Sequence, residues 1–137
     1  MATCVAYLDR MDHAYAAADV ALCRAGAGTI AELAVAGLPA VLVPYPFAPD
    51  DHQTVNARVL VDAGAALLVR DDDATADQLA PKVEELFADR DRLVAMGAAA
   101  GRVARPHAAE ALAAWVLELA GRKPRPAGAR GHKRSGR

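Results

Sequence analysis

Between residues 3 and 69, four short apolar runs alternate with stretches whose apolar residues recur at helical spacing, and this alternation constrains the fold more than any other feature. TCVAYL (3–8), DVALC (19–23), PAVLVP (39–44) and AALLV (65–69) read as strands. MDHAYAAA (11–18), AGTIAELAVAG (27–37) and HQTVNARVLVDAG (52–64) read as helices, the last two closing on Gly37 and Gly64. Helices of this length between strands return the chain by right-handed crossovers. The strands therefore lie parallel, and the fold class is α/β.

Beyond Val69 the pattern is helical. TADQ at 75–78 has the form of a capping box opening a helix that runs to about Ala88. Asp71, Asp72 and Asp73, just before it, are expected to shield that helix start rather than hold a metal. Further helices are predicted over 90–103 and 106–120, with Pro106 at the first position of the last one. Trp115, Val116 and Leu119 are expected to pack that helix back onto the sheet. The sequence has no internal repeat.

At 137 residues the chain suits one domain with a real core. Hydrophobic residues make up 54% but aromatics only 4%, which fits alanine-faced helices on a sheet better than an all-β sandwich. No apolar run approaches the ~20 residues of a membrane span. The N-terminal MATCVAYLDRMD lacks the form of a signal peptide. Cys4 and Cys23 have no other Cys or His at ligand spacing and read as core thiols of a reducing cytoplasm. Charge is unevenly spread. Of sixteen Lys/Arg, seven lie in residues 122–137, which hold no acid; residues 1–121 keep nine against seventeen acids, a net of −8. That Pro/Gly/Arg-rich end is expected to be disordered. It has the charge to touch nucleic acid or an anionic membrane surface, and the plainer expectation is a solvated tail.

The stretch CRAGAGTIAEL (23–33) sets Gly-x-Gly between a strand and a helix. Glycines there let a phosphate approach the free backbone N–H groups at the positive helix end, on the edge where open α/β sheets bind ligands. Alone, the motif leaves a packing turn and a phosphate cradle equally open. Gly26-Ala27-Gly28-Thr29-Ile30-Ala31 also fits the dinucleotide pattern G-x-G-x-x-A, but Asp50 and Asp51 stand in the wrong place for its ribose acid. Glu32 gives a better account: a carboxylate beside that helix start can accept hydrogen bonds from two vicinal hydroxyls. PDDHQTVNA (49–57) opens the next helix over the same edge, and His52 and Gln53 suit sugar hydroxyls. Read alone, Asp50 or Asp51 is an N-cap and His52 and Gln53 a polar first turn.

The run from Tyr7 to Ala57 closely resembles the donor-binding half of the MurG family of peptidoglycan N-acetylglucosaminyltransferases, and the resemblance extends to about Gly121. Arg24-x-Gly26, the Thr29 and Glu32 pair, Gly37-Leu38-Pro39 and His52-Gln53 with Asn56-Ala57 stand in the family's order and spacing. The resemblance implies a Rossmann-like half-domain of the two-domain GT-B glycosyltransferase fold. It implies transfer of N-acetylglucosamine from UDP-N-acetylglucosamine to lipid I, giving lipid II, with inversion. It implies that Leu8 backbone groups read uracil with Met11 nearby, and that Arg24 belongs to the donor site. Gly26, Ala27, Gly28 and Thr29 would face the diphosphate, Glu32 the ribose, and Gln53 and His52 the sugar. Many members carry Gln or Glu where this chain has His52. No tightly bound metal or other cofactor is implied, and no nucleic-acid partner.

By the same resemblance, residues 1–121 form a donor domain incomplete at its N-terminus. The acceptor domain, with the general base and the lipid-binding face, is expected to lie elsewhere. The chain is then expected to be inactive alone, and the complete enzyme to sit in the cytoplasm, peripheral to the membrane. A non-catalytic UDP-sugar-binding subunit of a split transferase, or another GT-B transferase or UDP-sugar epimerase, are the alternatives. The run YLDRMD…AYAAAD favours the peptidoglycan enzyme.

Overall fold

The computed structural model describes residues 3–121. Three parallel strands, β1 (Ala21–Cys23), β2 (Ala40–Leu42) and β3 (Ala66–Leu68), lie side by side in that order, with Ala21 opposite Ala40 and Ala40 opposite Ala66. Helix α1 (Met11–Ala17) precedes β1, α2 (Ala27–Ala36) joins β1 to β2, and α3 (His52–Val61) joins β2 to β3. Helices α4 (Ala76–Ala88) and α5 (Arg90–Val103) follow the sheet. The sheet is parallel because each crossover helix returns the chain to the same edge. The described residues 3–105 belong to one compact unit.

The central strand shows why an uninterrupted apolar run was needed. Ala40, Val41 and Leu42 are fully buried, as expected for a strand covered on both faces. Alternate side chains divide between two clusters. Ala40 and Leu42 join Ile30, Leu33, Leu60 and Ala99 on the face covered by α2 and α3. Val41 and Val43 join Val69, Leu86, Leu93 and Met96 on the face covered by α4. Helix α5 supplies residues to both.

Helix α2 stops where the backbone turns left-handed. Gly37 has φ 64°, its N–H reaches the Ala34 and Leu33 carbonyls, and Leu38 N–H follows to Leu33 O at 3.1 Å. Gly97 of α5 sits directly against this turn. A Cβ on Gly97 would lie 2.7 Å from the Gly37 carbonyl oxygen, so glycine there is what lets α5 approach.

Several local expectations differ from the structure. Residues 3–8 are not a strand: they pair with none of the three strands, and Val5 and Tyr7 are 55% and 80% exposed. A strand exists only through its ladder, and this segment has none. Cys4 is accordingly exposed rather than a core thiol, while Cys23 in β1 is half-buried and its thiol is pushed up by desolvation. Thr75 stands at the N-cap of α4 without a side-chain cap; its carbonyl accepts from the Gln78 amide at 3.1 Å and the Leu79 amide at 2.9 Å.

The described residues 106–121 belong to a second compact unit. Its helix, α6 (Ala108–Leu119), opens at His107, whose carbonyl accepts from Ala111 N–H, so Pro106 lies just outside the helix. Trp115, Val116 and Leu119 are exposed rather than buried. The basic stretch 122–137, expected to be disordered, lies outside the described residues. Among those residues no helix is long and apolar enough to cross a membrane.

Candidate functional site

The loops leaving the carboxyl ends of β1, β2 and β3 share one edge of the sheet, and Arg24 ties them together. Its Nη1 donates to the carbonyls of Val43 at 3.3 Å and Pro44 at 3.2 Å, beyond β2. The same nitrogen pairs with Asp71, beyond β3, and the guanidinium lies 5.7 Å from the Tyr45 ring centroid. Arg24 is therefore engaged with the protein's own loops. Asp71, expected to shield the start of α4, is its ion-pair partner instead.

The start of α2 is open. Gly26 is its N-cap position and offers no side-chain cap, and the first intrahelical bond runs from Ile30 N–H to Gly26 O at 3.0 Å. The amides of Ala27, Gly28 and Thr29 precede that first bond, at the positive end of the helix. Ala27 and Gly28 are exposed, Gly26 and Thr29 half-buried, and a Cβ on Gly28 would meet nothing within 4 Å. Helix α3 holds this loop in place from below. Gln53 Oε1 accepts from Ala25 N–H at 3.1 Å and from Tyr45 N–H at 2.9 Å, and Asn56 Nδ2 donates to Ala25 O at 3.2 Å. Both backbone groups of the fully buried Ala25 are thus held by two α3 side chains. A pinned residue followed by an exposed glycine turn presents free amides at fixed positions.

Glu32 lies on α2 facing α1. Its Oε2 accepts from the Tyr15 hydroxyl at 2.8 Å. Burial, then the hydrogen bond and charge of Glu32, push the Tyr15 phenol up to about 12. Met11, Tyr15, Glu32 and Val35 line a cavity of about 450 Å³ between the two helices. Two expected site residues, Met11 and Glu32, therefore meet in one place. Leu8 stands in the irregular segment before α1, 46% exposed, and does not line that cavity.

The start of α3 is more self-contained than its sequence implied. Asp50 and Asp51 both have positive φ, 53° and 51°, a conformation that Asp tolerates better than most residues. Asp51 is the N-cap position, yet its carboxylate accepts from the Thr54 hydroxyl at 2.7 Å rather than from a backbone amide. His52 Nδ1 bonds to Pro49 O at 2.7 Å, which leaves Nε2 as the ring nitrogen able to reach outward. Gln53, with its oxygen filled by two amides, has its NH₂ group left to donate. A second cavity, of about 360 Å³, lies along this edge between Pro44, Asp51, Thr54, Arg70 and Asp71.

Sequence reasoning missed Tyr15, Asn56 and Asp71 as parts of this arrangement. The order Asn56-Ala57 was visible as a spacing but carried no role. Tyr15 and Asp71 act across distant elements, and no local signal announces them. Among the described residues no group of three or more His, Cys, Asp or Glu could hold a metal ion.

A parallel sheet covered on both faces, with an uncapped glycine helix start at its carboxyl edge, defines a Rossmann-like α/β domain of the kind found in GT-B glycosyltransferases. Residues 1–112 match the description "Glycosyltransferase family 28 C-terminal domain", and the chain belongs to that family. It is 56% identical over 114 residues, 83% of its length, to the UDP-N-acetylglucosamine–N-acetylmuramyl-(pentapeptide) pyrophosphoryl-undecaprenol N-acetylglucosamine transferase of Shewanella amazonensis, covering 32% of that protein. The protein of the same name from Nocardioides is 52% identical over 115 residues, 84% of this chain and 31% of the relative. Among solved structures, Acinetobacter baumannii MurG superposes with a TM-score of 0.72 at 37% identity, over 84% of this chain and 32% of that one. The chain spans about a third of the length of the curated relatives it matches.

Proposed function

We propose that this chain supplies the donor site of an inverting hexosyltransferase that moves N-acetylglucosamine from UDP-N-acetylglucosamine to lipid I, giving lipid II. The observation that carries this reading is the exposed, uncapped start of α2 at residues 26–29, in a chain half or more identical to proteins named for that reaction. In the transfer, an acceptor hydroxyl oxygen forms the new bond to the anomeric carbon while the bond to the UDP oxygen breaks. The acceptor's proton passes to a general base, which belongs to the acceptor half of the enzyme. Negative charge then builds on the departing diphosphate. The amides of Ala27, Gly28 and Thr29, fixed through Ala25, meet that charge without reorganising, a contribution typically ~10²–10³-fold per donor in such sites.

Glu32 takes the ribose hydroxyls, and Met11 offers an apolar wall beside it. The NH₂ group of Gln53 and Nε2 of His52 are the donors left for the sugar. Arg24 contributes by holding the β2 and β3 loops. The complete enzyme works at the cytoplasmic membrane face, where a lipid-linked acceptor resides. Residues 122–137 carry the charge suited to an anionic lipid surface, and co-sedimentation with anionic vesicles, with and without them, checks that contact.

The test is Gly28→Val with calorimetric titration of UDP. Outside the helix's own local backbone nothing lies within 4 Å of the added Cβ, and Gly28 is not among the positive-φ glycines, so the fold is expected to stand. A branched side chain would nevertheless occupy the approach of the diphosphate. UDP affinity is expected to fall by more than ~100-fold with the thermal unfolding curve little changed. Wild-type affinity in this variant overturns the site.

A further inference from the structure

Among the described residues, the hydroxyl of Tyr15 is the one group hydrogen-bonded to the Glu32 carboxylate, and no salt bridge reaches it. From the 2.8 Å bond between α1 and α2 we infer that Tyr15 is a positioning residue for ribose recognition: it holds Oε2 of Glu32 so that Oε1 is presented to the sugar hydroxyls. This rests on the reading of Glu32 as the ribose carboxylate.

The chemistry favours it. A carboxylate has about four lone-pair sites; one bond from Tyr15 leaves enough to take two vicinal hydroxyls. Glu32 is an exposed side chain with several free torsions, and an unheld carboxylate would lose that freedom each time a nucleotide bound. Tyr15 is itself anchored, its ring packed against the core cluster that contains Leu33 and Ala34 of α2. It remains protonated, and so remains a donor, far above neutral pH. The cavity shared by Met11, Tyr15 and Glu32 leaves about 450 Å³ of open space beside the pair. A rigid aromatic arm on one helix thus sets the direction of a flexible acid on the next.

The experiment compares UDP with 2′-deoxy-UDP by calorimetric titration of the 137-residue chain and its variants. Wild type is expected to prefer UDP by on the order of tenfold or more, and Glu32→Ala to abolish the preference. Tyr15→Phe keeps the ring that packs and removes only the hydroxyl; it is expected to cut the preference by ~3–10-fold. Tyr15→Met, also without a hydroxyl, gives the same loss should Phe disturb the fold, which the unfolding curve reports. A merely structural role would weaken both nucleotides equally and leave their ratio unchanged, and that result overturns the inference alone. A ratio unmoved by Glu32→Ala, or a wild-type chain that binds neither nucleotide, overturns the ribose reading and this inference together.

Discussion

Tyr15 has a consequence for stability as well as for recognition. Its phenol is raised from 10.0 to about 12, first by burial and then by the hydrogen bond and charge of Glu32. The folded chain therefore binds this proton more tightly than the unfolded chain. The corresponding stability is intact below the unfolded value of 10.0 and is lost as pH rises towards about 12. Alkaline titration followed by phenolate absorbance should show a late-ionising tyrosine, and Tyr15→Phe should remove that late step. A variant whose late step persists assigns it to another residue. Glu32 could be singled out in the sequence because the acid follows the glycine turn within the same helix. Its partner was not, since Tyr15 lies 17 residues earlier on an element whose placement no local pattern dictates. Gln53 shows the same limit: its polar character was plain, but its hold on the Ala25 and Tyr45 amides depends on two loops meeting in space.

Among the glycines of the described residues, Gly97, where α5 meets the end of α2, has the closest neighbour to an added Cβ. Gly97→Ala would set a Cβ 2.7 Å from the Gly37 carbonyl oxygen, with the Pro39 ring 3.9 Å away, and backbone on both sides leaves little to yield. Urea unfolding should show a loss of ~1–3 kcal/mol. Gly101→Ala, on the same helix with nothing within 4 Å of the new Cβ, should instead gain up to ~1 kcal/mol from helix propensity. Equal effects at the two sites would contradict the packing account. Helices were readable from apolar spacing and from the glycines that end them, and α2, α3, α4 and α5 fall close to their expected bounds. The expectation of a strand at 3–8 failed because a short apolar run describes what a strand requires but not whether a neighbour exists to complete it. The capping box is not formed: the Gln78 amide donates to the Thr75 carbonyl rather than to its hydroxyl.

For the whole molecule, the parallel α/β class followed from the order of apolar segments alone. In the structure β2 divides between two clusters, since period-2 alternation in a run buried on both faces sends neighbours to opposite sides. What sequence could not give was the assembly of the edge: Arg24 joining three loops, Asp71 answering it from 47 residues away, and α3 pinning the turn before α2. The site is thus a set of free amides whose positions are fixed by residues from other elements. Backbone amide chemical shifts during titration with UDP and, separately, uridine test this most directly. On the proposal that their partner is the diphosphate, the amides of Ala27, Gly28 and Thr29 should move strongly with UDP and hardly with uridine. Equal movement with both, or UDP-induced changes confined to other parts of the chain, would contradict the account.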